Sequence, residues 1–386
     1  MKPLARPAAA MPGSGIREIV HVAMNMPEAI RLEVGEPDFP TPAHIVEAAC
    51  QAARSGFTKY GPSAGLFSLR ELLAERIERV NGYRVGPARI NISVGGVQGV
   101  LAAFLALLEP GDEVLLPDPA WPNYEMALRL RQAGPIHYPL YIEQGFMPRL
   151  EDLAELVTAR TKLLILNSPA NPTGAVFPRP IIEALVEFAQ SHDLYILADE
   201  VYDEFVFEGE HVSPALYDPE RVISIYSFSK IYAMTGWRVG YVVANAAISQ
   251  LIAKIQEPQI SCVSSVGQKA AEAALTGPQD CVRAMRDSYR ERRDLVVEAL
   301  AEAGYYVYTP QGAFYIMVDI SDSGLDSRQF AMKLLQERSI AVAPGTAFGK
   351  FGRHFVRLSL ATEKEALLAG VRGLCDFIKN SPAGGK

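Results

Sequence analysis

Two patterns of apolar residues take turns along most of this chain. Short unbroken runs, rich in Val, Ile and Leu, lie at residues 90–94, 113–117, 162–167, 194–198, 222–226 and 239–244. Runs this short and this continuously apolar predict strands buried on both faces. Between many of them apolar residues return every three or four places, at 44–55, 66–81, 97–108, 121–132, 180–193 and 246–257, which predicts amphipathic helices. Strand and helix in alternation predict βαβ units, and so an α/β fold: a large domain with a mostly parallel central sheet flanked by helices.

The texture changes near residue 276. A charged amphipathic stretch runs over 280–303, followed by GYYVYTP, GAFYIMVDI, a helical pattern near 327–338, a strand near 340–343 and FVRLSLA. Strands and helices mix here without strict alternation, which predicts a smaller α+β domain. The first fifteen residues, rich in Pro, Ala and Gly, read as an irregular arm. The expected division is an arm at 1–15, a small domain from 16–48 and 286–386, and a large domain at 49–285.

Composition narrows the partners. The chain has 386 residues, 49% of them hydrophobic, enough for a sizeable core. Its net charge of −7 argues against nucleic acid and against an anionic membrane surface, both of which need a basic face. The longest apolar run, near 100–108, is far short of a membrane span. Cys50, Cys262, Cys281 and Cys375 are scattered, with no CxxC pair, as expected of reduced thiols in a cytoplasmic protein. MKPLARPAAAMPGSG has no apolar core of a secretory signal.

Two motifs invite a reading that their surroundings deny. GPSAG at 61–65 matches a nucleophile elbow, but SGFTKY before it is no core strand, so a turn is expected. GTAFGK at 345–350 resembles a phosphate loop, yet it is one residue short and Phe351 stands where a Ser or Thr is required. The six histidines lack HxxxH spacing, and no metal is expected.

In open α/β sheets ligands bind outside the carboxyl ends of the strands. Reading those ends gives a coherent set. After the strand at 90–94 comes GGVQG, glycines that open a helix and expose N–H groups at its positive end. After 162–167 comes SPANPTG with Asn171; after 194–198, DEVY with Asp199 and Tyr202; after 222–226, SFSK with Ser227 and Lys230, then Arg238. Singly, each suits a bland role as a cap, an ion-pair partner or a solvated charge. Together they match pyridoxal-phosphate chemistry. That chemistry needs a lysine to form an imine with the aldehyde, a carboxylate for the pyridine N–H, donors for the ring oxygen and an anion site for the phosphate.

With NPTG, DEVY, SFSK followed by GWRVGY, and GAFY (312–315), the chain resembles the class I/II pyridoxal-phosphate aminotransferases of fold type I, the aspartate aminotransferase superfamily. The resemblance runs from GEPDF (35–39) to VRLSLA (356–361). It implies pyridoxal 5′-phosphate as cofactor and Lys230 as the imine-forming lysine and proton shuttle. It implies Asp199 as partner of the pyridine nitrogen, and Tyr202 and Asn171 at the ring oxygen. Trp121 would stack on the ring face. Ser227, Arg238 and the amides of Gly96, Val97 and Gln98 would take the phosphate. It implies Arg357, helped by the Gly35 N–H, as the grip on the substrate α-carboxylate. It also implies a homodimer with a composite site, Tyr60 reaching the phosphate of the neighbouring subunit. Two departures stand out: Val97 and Gln98 where relatives often carry Ser, Thr or Lys, and Ala170 before NPTG where Asn is frequent.

The expected activity is transfer of an amino group from an L-amino acid to a 2-oxo acid such as 2-oxoglutarate, oxaloacetate or pyruvate, in ping-pong order. The alternative on the same fold is a C–S β-lyase or synthase. A non-catalytic regulator module is disfavoured, since residues 1–34 are too few for a fused DNA-binding region. Arg17 in SGIRE is the candidate for a second substrate carboxylate.

Overall fold

The computed structural model of the chain describes residues 2–11 and 13–381. Its strands, in chain order, are β1 (Ile30–Arg31), β2 (Ile90–Ser93), β3 (Glu113–Asp118), β4 (Gly134–Pro139), β5 (Thr161–Asn167), β6 (Tyr195–Asp199), β7 (Val222–Ser227), β8 (Gly240–Val243), β9 (Tyr315–Asp319), β10 (Ile340–Ala341), β11 (Ala343–Pro344) and β12 (Phe355–Ser359). The helices are α1 (Arg6–Ala9), α2 (Gly15–Ala23), α3 (Ala43–Arg54), α4 (Phe67–Asn81), α5 (Gly95–Leu107), α6 (Asn123–Arg131) and α7 (Leu150–Leu156). They continue with α8 (Arg179–Ser191), α9 (Phe228–Ile231), α10 (Ala246–Ile260), α11 (Ser265–Thr276), α12 (Asp280–Ala303), α13 (Ser327–Arg338) and α14 (Lys364–Asn380).

Seven strands form one sheet in the order β2-β8-β7-β6-β5-β3-β4. Every pairing in it is parallel except the two made by β8. The period of two along each strand divides its side chains between two layers. Leu163, Ile165, Leu197, Ile223 and Ile225 pack with α5, α6 and α10 through Phe104, Tyr124 and Ile252. Leu164, Leu166, Ile196 and Ala198 face the opposite layer, which includes Leu73 and Ile77 of α4, Leu185 of α8 and Ala271 of α11. Both faces are covered, so these strands have no polar side.

A second unit is built from β11-β12-β9, antiparallel throughout, with α12, α13 and α14. The N-terminal segment joins it: β1 pairs in parallel with β10, and Ser359 N–H donates to the Leu32 carbonyl at 2.8 Å. Helix α12 stops where Gly304 takes φ +85, a left-handed cap that glycine adopts at little cost.

Some elements depart from the sequence pattern. β4 reads GPIHYP; its two prolines are tolerated because it is the sheet's edge strand. α11 was hidden by its alanines, which give little apolar contrast. The expected irregular arm contains the short helix α1. The helix expected from residue 121 begins at Asn123. Residues 61–65 form a turn, with Ser63 following no strand, so the elbow reading is set aside.

Candidate active site

The carboxyl ends of β2, β5, β6 and β7 open into a cavity of about 440 Å³ that the segment 33–35 and Arg357 of β12 close from the other side. At its floor α5 begins on Gly95, whose φ is +69. The first N–H groups of a helix have no acceptor within it, and they lie at the positive end of its dipole. A Cβ on Gly95 would fall 2.6 Å from Nη2 of Arg238, so only glycine lets that guanidinium lie against the helix start. Arg238 is itself in the left-handed region, φ +57, an uncommon conformation for a residue with a side chain. Its Nη1 donates to the Thr235 carbonyl at 2.7 Å, and among the described residues it has no carboxylate partner. Ser227 Oγ accepts from Ser229 N–H at 3.1 Å beside it. The result is a backbone-lined cationic cradle suited to a phosphate monoester.

Gln98 has its side chain engaged outside this cradle. Its side-chain oxygen accepts from Val94 N–H at 3.1 Å and its amide donates to Gln259 at 3.0 Å. Val97 lines the cavity wall and is partly exposed there.

Asp199 is the last residue of β6 and only 4% exposed. Burial pushes its carboxyl up to about 6, against hydrogen bonds from the Tyr124 hydroxyl and the Val201 N–H that favour the charged form. A buried carboxylate without a fixed cation is a place for a cationic ring nitrogen. Asn167, at the end of β5, donates to the Asp199 carbonyl at 3.0 Å and accepts from Asn171 N–H at 2.8 Å, which fixes the loop that carries Asn171. Trp121 lines the same cavity, its ring edge-on to Tyr124.

Lys230 lies opposite. Its Nζ donates to the Gly35 carbonyl at 2.6 Å. Burial brings the amine down to about 8, aided by Arg357 and Arg238 and opposed by Glu36 and Asp199. Arg357 is 3% exposed. Its Nη1 donates to Asn171 Oδ1 at 3.0 Å and its Nη2 to the Glu33 carbonyl at 2.5 Å, while its Nε has no partner. Among the described residues no carboxylate lies within ion-pair distance of it. Tyr202 closes the group, buried, with its hydroxyl 2.8 Å from that of Tyr315.

Of the residues expected from sequence, the cavity is therefore lined by all but Gln98 and Tyr60. Tyr60 is 91% exposed and lies away from the cavity of its own chain, on a loop held by Ser265 Oγ to the Lys59 carbonyl and by Gly61 N–H to Cys262 Sγ. Arg17 does reach the wall, beside Ile16 and Val20 of α2. Three residues that sequence reasoning passed over also belong here: Asn167, Tyr124 and Tyr315. The only hint of them was position, at a strand end, three places after Trp121, and within GAFY. The set suits a planar ring that carries a phosphate, a protonated nitrogen and a carbonyl, next to a substrate carboxylate.

Residues 27–373 match the family described as aminotransferase class I and II. The chain is 42% identical to the aspartate aminotransferase of Pyrococcus abyssi over 360 residues, 92% of each chain. It is 41% identical to the aspartate/prephenate aminotransferase of Thermus thermophilus over 344 residues, 88% of each. Among solved structures it is similar to the Thermus thermophilus aspartate aminotransferase with maleate, with a TM-score of 0.94 at 38% identity over 98% of this chain and 100% of that one.

Proposed function

The chain belongs to the class I and II aminotransferases, and from that premise we propose that it uses pyridoxal 5′-phosphate, held in the cavity described above, to pass an amino group from an L-amino acid to a 2-oxo acid in two half-reactions. One observation carries this reading. The buried Arg357 guanidinium, without a carboxylate of its own, shares a cavity with a lysine brought down to about 8 and an aspartate pushed up to about 6. Such an arrangement is costly unless ligands complete it.

When bound, pyridoxal phosphate supplies a carbonyl that condenses with amines and a pyridinium ring that accepts electrons from the substrate Cα. The remaining work falls to this chain. Arg238, Ser227 and the N–H groups of Gly96, Val97 and Gln98 bind the phosphate. Asp199 holds the proton on the ring nitrogen. Tyr202 and Asn171 orient the ring through its oxygen, and Trp121 covers one face. Arg357, with the Gly35 N–H, binds the substrate α-carboxylate and so points its Cα–H at Lys230. The Lys230 amine, neutral in part near pH 8, would take the proton from the substrate Cα in the first half-reaction and deliver one to the Cα of the acceptor in the second.

The reading extends to a homodimer with Tyr60 of the partner subunit at the phosphate. Its support is the 91% exposure of Tyr60, with Phe57 and Phe67 of the same stretch of chain also exposed. Arg17 on the cavity wall supports donors with an acidic side chain. Residues 49–285 would be the unit that holds the cofactor, and 16–48 with 286–386, of which 382–386 lie outside the described residues, the unit on the substrate side.

The visible spectrum of the purified protein tests this reading. A yellow band that aspartate or glutamate bleaches to the pyridoxamine form, with stoichiometric release of the 2-oxo acid, is the expected result. Ammonia and pyruvate from a cysteine conjugate, with no bleaching, would point to the lyase chemistry. A protein that stays colourless after addition of pyridoxal phosphate would overturn the cofactor assignment.

A further inference from the structure

Tyr315, the last residue of GAFY, has no part in the reading above, yet it touches both halves of the site. Its hydroxyl is 2.8 Å from that of Tyr202. Its ring lies beneath the Arg357 guanidinium, 4.4 Å from ring centre to Cζ. Gly35 presses against it: a Cβ there would fall 2.0 Å from the Tyr315 hydroxyl oxygen. Both phenols are buried, at 1% and 3% exposure, so each serves as hydrogen-bond partner for the other.

We propose that Tyr315 is a positioning residue that aims the Tyr202 hydroxyl proton into the cavity while seating the guanidinium that grips the substrate carboxylate. The proposal rests on the transaminase reading.

The direction of the hydrogen bond follows from the charges around the pair. Arg357 acts on it from β12 and Asp199 from the end of β6; Lys230 of α9 shares the cavity, with Glu36 and Arg238 acting on Lys230 and Glu33 on Arg357. Burial raises both phenols. The Arg357 guanidinium opposes that rise at both, as the main opposing influence at Tyr315, while at Tyr202 Asp199 acts the other way. The guanidinium lying 4.4 Å over its ring makes the Tyr315 phenol the better donor of the pair, toward the Tyr202 oxygen. Tyr202, its own oxygen occupied, is left to donate onward into the cavity, where an anionic ring oxygen gains most from it. One side chain thus links the grip on the substrate to the proton affinity of the cofactor.

The test compares wild type, Tyr315→Phe and Tyr315→Leu, each loaded with pyridoxal phosphate. The pH midpoint of the visible band is measured, and so is the affinity for succinate or 3-phenylpropanoate, whichever unreactive carboxylate wild type binds. Tyr315→Phe should raise the midpoint by about half a unit or more, a threefold change in proton affinity, with carboxylate affinity kept within about twofold because the ring remains under Arg357. Tyr315→Leu should raise the midpoint by the same amount and also weaken the carboxylate about five- to tenfold. Far-UV circular dichroism of the loaded proteins checks that both variants fold. An unmoved midpoint in a folded Tyr315→Phe protein, or equal carboxylate affinities in the two variants, would overturn the proposal. A wild-type protein without a visible band would instead overturn the cofactor reading, and the proposal with it.

Discussion

The Tyr124 hydroxyl donates a hydrogen bond to Oδ2 of Asp199, while its ring stands edge-on to Trp121 with centroids 5.3 Å apart. The turn that opens α6 therefore ties the aromatic proposed for the ring face to the carboxylate proposed for the ring nitrogen. Removing the hydroxyl in Tyr124→Phe deprives the charged carboxylate of a buried donor. Hydrogen bonds to charged groups contribute about 1.5–3 kcal/mol, so pyridoxal phosphate affinity should fall about ten- to a hundredfold. Absorbance titration of the cofactor-free protein measures this, and an unchanged affinity would place Tyr124 outside the site's working parts.

Asp199 also makes the cofactor-free protein sensitive to pH. Its carboxyl is raised from 3.8 to about 6 in the fold, chiefly by burial. Between those values the native protein binds more protons than the unfolded chain, so stability falls as pH climbs through that window. A shift of about two units corresponds to about 3 kcal/mol at neutral pH. Cofactor-free Asp199→Asn should therefore resist urea better than wild type at pH 7.5, with the gap closing toward pH 4, and should not turn over. A variant less stable than wild type at every pH would refute the assignment of that cost to Asp199.

How much of this was legible before the fold depended on what each residue needed. Asp199, Ser227 and Lys230 follow apolar strands directly, so the rule that ligands gather at strand ends located them. Arg357 was found only through the family resemblance, since it sits on an antiparallel strand of the other unit, paired with Met317. Tyr124 and Tyr315 act through contacts across 75 and 113 positions, which no local pattern reveals. Gln98 was expected at the phosphate only through its backbone amide, and its side chain is engaged by Val94 N–H and by Gln259 of α10, a long-range contact that the sequence does not show. The mostly parallel sheet was readable because buried strands are continuously apolar. Its edge strand was not, because an edge admits prolines.

Lys230 should be identifiable by its chemistry. Its amine falls from 10.5 to about 8, so the native protein binds fewer protons than the unfolded chain between those values, and cofactor-free stability should rise with pH across that window. Borohydride treatment of the pyridoxal-phosphate-loaded protein should fix the cofactor to the peptide containing Lys230, read by mass spectrometry. Lys230→Ala should lose that label and at least about a thousandfold in turnover, the scale of a lost proton-transfer group. Label on another lysine would move the catalytic assignment.

Arg17 sets the last expectation, that the side-chain end of the cavity favours an acid. Ile16, Val20, Val34 and Val97 make much of that wall apolar, and Arg17 is the cation among them. The nearest carboxylate in sequence, Glu18, is already taken by both nitrogens of an Arg328 fork at 2.8 and 2.9 Å. Arg17 is left without an ion-pair partner among the described residues. Because it is exposed, its attraction for a distal carboxylate is moderated by water and salt. Arg17→Ala should raise KM for aspartate and glutamate about tenfold, and less at high ionic strength, with kcat/KM for alanine and phenylalanine kept within about twofold. An equal loss for every donor would mean that Arg17 merely supports α2. No loss for acidic donors would show that acid recognition resides elsewhere in the cavity.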